Sequence, residues 1–181
     1  MHRDSSLISR EIGTSSHPAA IIIAIGGNLS DDSGRSPLAT CRAATVALGG
    51  LAQCRLHAIS RWYRSPAWPP SDQPDYINGA ALLIGRIAPA RLLADLHAIE
   101  AHAGRRRGVA NAARTLDLDI IAIGGLVRPA PDPVLPHPQA HLRRFVLQPI
   151  ADIMPDWRHP ASGETVRALL AGLPGDALVP L

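Results

Sequence analysis

Arg114-Thr115-Leu116-Asp117-Leu118-Asp119-Ile120-Ile121 is the stretch that most restricts what this chain can become. Its acids stand at i and i+2 with apolar residues between them, the period of an extended strand. Alternate side chains of a strand share a face, so both carboxylates point the same way, their Cα atoms about 7 Å apart. Leu116, Leu118 and Ile120 take the opposite face, and Ile121-Ala122-Ile123 continues as an apolar run, so the rear of this strand belongs in a core. Two carboxylates at that separation can converge on one or two Mg²⁺ ions, hard cations that favour oxygen ligands. Arg114, just upstream, can meet a phosphate carried by such a metal. The plain alternative is a solvent-facing edge strand that happens to hold two acids; the adjacent arginine favours metal and phosphate.

The rest of the chain limits the chemistry by what it lacks. All 18 basic residues are arginine. Without lysine, a P-loop of the G-x-x-x-x-G-K-[ST] type and covalent catalysis by an amine are both excluded. Gly26-Gly27 ends an apolar run but opens no G-x-G-x-x-G, which removes the dinucleotide-binding reading. Cys41 and Cys54 form no cluster with histidine, so zinc and redox pairs are not indicated, and both cysteines are expected as small apolar residues in a reducing compartment. The net charge of +3 suits an anionic small molecule as well as it suits a nucleic acid. Only six aromatic residues exist and none interleave with Arg105-Arg106-Arg107, which argues against nucleic acid. That arginine run alone reads as a solvated face; between a helix end and the acidic strand, at least one member should face phosphate. No apolar stretch reaches the length of a membrane span.

The expected organisation is a disordered, Ser-rich extension over residues 1–18, one domain over 19–175 and a tail over 176–181. The cytoplasm is the expected location and a monomer the expected state. Ile21 to Ile25 predicts an interior strand. Pro37 to Leu48 predicts a helix closed by Gly49-Gly50, and Cys54 to Arg64 a second strand. Ser65 to Pro74 holds four prolines and predicts an irregular loop. Tyr76 to Ile84 predicts a third strand, and Pro89 to Gly104 a helix with an apolar stripe at Leu92, Leu93, Leu96 and Ile99. After the acidic strand comes a proline-rich loop over Pro129 to Pro138, a short helical or extended segment, and a last helix near Glu164 to Leu173. The order β-α-β-β-α-β matches the split-βαβ, ferredoxin-like α+β motif, a mainly antiparallel sheet with helices packed mainly on one face.

Five stretches in this order resemble the 6-hydroxymethyl-7,8-dihydropterin pyrophosphokinase family of the folate pathway. They are Ala24 to Leu29, Tyr63-Arg64-Ser65-Pro66, Asp72 to Asn78, Arg114 to Ile121, and Leu135-Pro136-His137 through Arg143 and Phe145. The resemblance covers about residues 20 to 172. It implies a ferredoxin-like fold and transfer of the terminal pyrophosphate of ATP to the pterin hydroxymethyl group, with release of AMP. It further implies that Asp117 and Asp119 hold two Mg²⁺ ions and that Arg105 and Arg114 clamp the phosphates. His97, Glu100, Arg107, Ile120, His137 and Arg143 would serve ATP. Tyr76 and Phe145 would sandwich the pterin ring, with Ser65, Pro66, Trp68 and Asn78 around its edge. On residue type alone Tyr76 and Phe145 are core residues and His137 a loop residue. A noncatalytic ferredoxin-like module that binds nucleotide or metal is the alternative, and the acid pair argues against it.

These residue types suit that reaction. Displacement at phosphorus needs charge neutralisation and in-line positioning more than covalent help. Arginine forks match phosphate oxygens, and a flat pterin calls for aromatic faces with polar partners at its rim. The chain departs from the family pattern at Asn111-Ala112-Ala113, where many members have Trp-Gly-Pro, and at Gly108, near a lysine of some members. His97 stands for a common glutamine and Gly27 for a common serine.

Overall fold

The computed structural model describes residues 18–106, 112–175 and 177–181. The extension expected over residues 1–18, apart from Pro18, and Arg107 with its neighbours 108–111 therefore lie outside the described residues. The elements run β1 (Ala19–Gly27), α1 (Pro37–Gly49), β2 (Cys54–Ile59), β3 (Tyr63–Ser65), β4 (Tyr76–Gly85), α2 (Pro89–His102), β5 (Asp117–Ile123), a short 3₁₀ turn (Ala140–Leu142), α3 (Arg144–Ile153), α4 (Val166–Ala171) and β6 (Val179–Pro180). The sheet is ordered β5-β1-β4-β3-β6, with β2 also paired to β4, and every pairing is antiparallel. The ferredoxin-like α+β expectation is met.

Each helix start follows from its sequence. Ser36 caps α1 by accepting a hydrogen bond from the Ala39 amide, and Pro37 occupies the first turn, where its missing N–H costs nothing. Pro89 plays that part in α2. Inward faces of α1 and α2 cover one side of the sheet through Cys41, Leu48, Leu92 and Leu96, against Ile21, Ile23, Ile25, Leu118 and Ile120. Burial pushes the Cys41 thiol up to about 12, as suits an inert core residue.

Two expectations change. Helices were expected mainly on one face, yet α3 and α4 cover the other, with Val146, Leu147, Ile150 and Val166 packed on Ile22, Ala80 and Ile121. The continuous apolar character of β1 and β4 fits strands buried on both sides. The single strand expected over Cys54 to Arg64 is broken between β2 and β3. There the Ser60 hydroxyl accepts from the Ala80 amide at 2.9 Å while the Ser60 amide donates to the Ala80 carbonyl, so the side chain takes over a rung of the ladder. Trp62 then lies over Gly79, where a Cβ would stand 2.5 Å from its ring.

Between β1 and β5 the register slips by one residue, leaving Ile121 as an extra residue opposite Ile22 and Ile23. Ile123 thereby faces α1 and α2, while Asp117 and Asp119 face the side of α3.

Candidate active site

Two rows of side chains cross the sheet at its β1 exit. One is Asp117–Gly26–Asn78–Tyr63 and the other Asp119–Ala24–Ala80, each set by cross-strand pairing and so sharing one face. The shared face predicted for the two acids is present, and Leu118 and Ile120 behind them are 2 % and 4 % exposed. Gly26 lies between Asp117 and Asn78. A Cβ there would stand 3.8 Å from Asn78 Oδ1 and 4.0 Å from the Asp117 Cβ, so its absence leaves the floor open between the acids and the amide.

Asp117 is gripped from both sides. One carboxylate oxygen pairs with Arg105 Nη1 and the other accepts from Arg114 Nη1 at 2.7 Å. Arg105 is held in turn by Glu100, 2 % exposed, whose Oε1 also accepts from the Leu118 amide at 2.8 Å. Glu100 thus points down into the strand and holds Arg105. Asp119 carries no ion pair among the described residues. Burial first, then the charges of Asp117 and Glu100, push its carboxyl up to about 6. A carboxylate so disfavoured beside a second one is a site short of positive charge. No group of three or more His, Cys, Asp or Glu side chains converges among the described residues. Two carboxylate side chains on one strand face fit Mg²⁺, a hard cation that keeps waters and substrate phosphates as its other ligands.

Asn28 is the residue that the sequence pattern showed only as part of a strand exit. It is 4 % exposed. Its Oδ1 accepts from the Arg114 amide at 2.8 Å, and its Nδ2 donates to the Pro74 carbonyl at 3.1 Å and to Gln73 at 3.3 Å. Gly27 makes this possible, because a Cβ there would lie 2.5 Å from the Thr115 carbonyl oxygen. The backbone amides of Asn28 and Leu29 both donate to the Arg114 carbonyl. One side chain thus fastens Arg114 to the loop that leads into Tyr76.

A narrow cavity of about 90 Å³ opens over these rows. Asp117, Asp119, Arg114 and Arg143 line it together with Ser65, Pro66, Trp68, Tyr76, Asn78 and Phe145, so all the residues expected for the pterin reach one place. Asn78 Nδ2 donates to Ser65 Oγ at 3.0 Å, and the Tyr76 hydroxyl donates to Gln73 at 3.1 Å. The Arg143 guanidinium stands 5.0 Å from the Trp68 ring centre and 5.9 Å from that of Phe145, within cation–π range of both. It lies between the apolar wall and the acids, and not solely on a nucleotide side. Of the other residues expected for ATP, His97, Glu100, Ile120 and His137 do not line this cavity, and Arg107 lies outside the described residues. His97 lies one turn before Glu100 on α2. Ile120 is buried in the core under α1 and α2, which leaves its side chain no open face. His137 is fixed by its amide to the Ile121 carbonyl and by Nδ1, which accepts from the Gln139 amide; burial and Arg143 push its imidazole below the usual range.

The family model for 7,8-dihydro-6-hydroxymethylpterin-pyrophosphokinase matches residues 22–155. A Pseudomonas aeruginosa protein named 2-amino-4-hydroxy-6-hydroxymethyldihydropteridine pyrophosphokinase is 39% identical over 158 residues, covering 87% of this chain and 94% of its own. A protein of the same name from Synechocystis is 38% identical over 160 residues, covering 88% and 79%. Among solved structures, wild-type Plasmodium falciparum HPPK-DHPS superposes with a TM-score of 0.63 at 11% identity. That match covers 85% of this chain but 44% of the Plasmodium one, and it speaks for the fold alone.

Proposed function

Because this chain belongs to the 7,8-dihydro-6-hydroxymethylpterin-pyrophosphokinase family, we propose that the cavity over Asp117 and Asp119 is where its reaction takes place. The chain is a folate-biosynthesis pyrophosphokinase with ATP as co-substrate. The pterin hydroxymethyl oxygen forms a bond to the β-phosphorus of ATP and gives up its proton to solvent, the bond from that phosphorus to the oxygen bridging the α-phosphate breaks, and AMP leaves with that oxygen. The observation that carries the site is the meeting of two strand-mates, Asp117 and Asp119, with Arg114 and Arg143 against the wall of Tyr76, Trp68 and Phe145.

In this reading Asp117 and Asp119 hold two Mg²⁺ ions, which would neutralise phosphate charge and fix the transferred group in line. Asp117 keeps both Arg105 and Arg114 at the site before nucleotide arrives. Triphosphate oxygens then compete for those guanidinium groups, which suit them in a bidentate way. Glu100 sets the height of Arg105, and Asn28 sets that of Arg114. Tyr76 and Phe145 offer their faces to the ring, while Asn78 and Ser65 offer polar atoms to its rim. Arg143, His137, His97 and Arg107 are assigned to ATP, with Arg143 bridging the two substrates. The working unit is a monomer in the cytoplasm; no described helix is long and apolar enough to cross a membrane.

The test is incubation of the protein with ATP, Mg²⁺ and 6-hydroxymethyl-7,8-dihydropterin, with AMP and pterin pyrophosphate resolved by chromatography. Both products should appear in equal amounts and vanish when metal is chelated. Release of ADP instead of AMP, or nucleotide turnover indifferent to the pterin, would overturn the assignment.

A further inference from the structure

The family match ends at residue 155, yet the chain beyond it returns to the pterin side of the molecule. Arg144 stands between Arg143 and Phe145 at the start of α3, where the helix dipole disfavours a cation. It is satisfied elsewhere. Its Nη2 donates to the Leu170 and Leu173 carbonyls at 2.9 and 3.0 Å, and its Nε donates to the Pro174 carbonyl at 3.0 Å. One guanidinium thus caps the C-terminal end of α4 and ties it to the turn that carries Phe145.

Further on, β6 pairs with β3, Val179 opposite Arg64 and Pro180 opposite Tyr63, and the Leu181 amide donates to the Trp62 carbonyl at 3.0 Å. β3 is only three residues long and leads directly into Ser65 and Pro66. Between the two anchors, Ala177 and Leu178 line a cavity of about 310 Å³ together with Pro66, Trp68 and Phe145. Those last three residues also line the cavity over the acids. The aromatic wall therefore has the reaction site on one side and Ala177 and Leu178 on the other.

We propose that Arg144, Ala177, Leu178 and β6 are positioning residues for the pterin: fastened to α3 at one end and to β3 at the other, they hold the Pro66–Trp68 loop and Phe145 at a fixed separation. This rests on the reading of the cavity over the acids as the pterin site. None of the four touches the reacting atoms, and none lies on the phosphate side. Their loss should loosen one substrate and spare the other.

Two variants test it, Arg144→Met, which keeps the apolar stem, and removal of residues 177–181. Each should raise KM for the pterin about tenfold while KM for ATP and kcat stay within about twofold, the pattern of lost uniform binding. Arg144→Lys, which keeps a cationic donor, should recover most of the loss. Where the shortened chain does not fold, Arg144→Met decides alone. An unchanged pterin KM, or a parallel loss for both substrates that tracks a fall in Tm, would overturn the proposal. AMP formation by the unaltered protein is the separate check on the reading beneath it.

Discussion

Replacing Asp119 by asparagine should make the metal-free protein more stable at neutral pH while ending its activity. The Asp119 carboxyl is held at about 6, against 3.8 for an unburied aspartate, by burial and by the neighbouring charges of Asp117 and Glu100. The folded value lies above the unfolded one, so the stability linked to this group is fully present below about pH 4 and is lost as pH rises through about 6. At about 1.4 kcal/mol for each tenfold, ionised Asp119 costs the folded state up to about 3 kcal/mol above pH 7. For a domain of this size that corresponds to a Tm difference on the order of 6–12 °C. Asparagine adds its own fit to the site, but that contribution does not change with pH. The measurement is thermal unfolding of both proteins in chelator from about pH 4 to about pH 7.5. Relative to wild type, the variant should gain stability from about pH 4 to about pH 6 and level off above that, and Mg²⁺ with ATP should stabilise wild type alone. Parallel curves across the window would refute the argument, because Asp119 would then be no strained acid.

Asp117→Ala should abolish AMP formation with the circular dichroism of the fold retained; turnover near wild type would remove Asp117 from the site. Glu100→Gln should lower kcat on the order of tenfold with pterin binding unchanged, because Arg105 loses its buried anionic partner. A kcat for Glu100→Gln equal to that of wild type would show that the carboxylate is dispensable. Phe145→Ala should weaken pterin binding, with stacking worth about 1 kcal/mol beyond lost area, and change ATP affinity much less. Calorimetry giving equal losses for both ligands would make Phe145 a structural residue.

The acid pair was legible because strand periodicity is local: Asp117 and Asp119 share a face whatever the rest of the chain does. The element order up to β5, apart from the break between β2 and β3, was legible for the same reason, through Pro37, Pro89 and the β-branched run of β1. What escaped depends on distant partners. α3 contains Pro149, which cannot donate within a helix, and it begins at Arg144 directly after Arg143. It is helical because Val146, Leu147 and Ile150 are buried against the sheet and α4, a tertiary gain that no window of sequence displays. Ser60 breaks the second strand through a hydroxyl that bonds Ala80, twenty residues away. Asn28 joins residues 45 and 86 positions off. That Ser65, Tyr76 and Phe145 line one cavity was legible through family resemblance alone, since segments near residues 65, 76 and 145 have no local reason to meet.

The extra residue at Ile121 bears on how faithfully this chain folds. From Asp119 to Ala122 is an odd count, yet both stand on the same face of the sheet, because the bulge absorbs one step. Without it, strand and partner would align either with the acids correctly placed and Ile123 misplaced, or with both carboxylates driven among Leu92, Leu96 and Leu116. A one-residue slip reverses every side chain, and two unpaired acids in that core would carry a penalty of several kcal/mol each. Misaligned pairings of β5 therefore reject themselves during folding. The two carboxylates that line the cavity in the finished protein also act, before any ligand is present, as the proofreading signal for its edge strand.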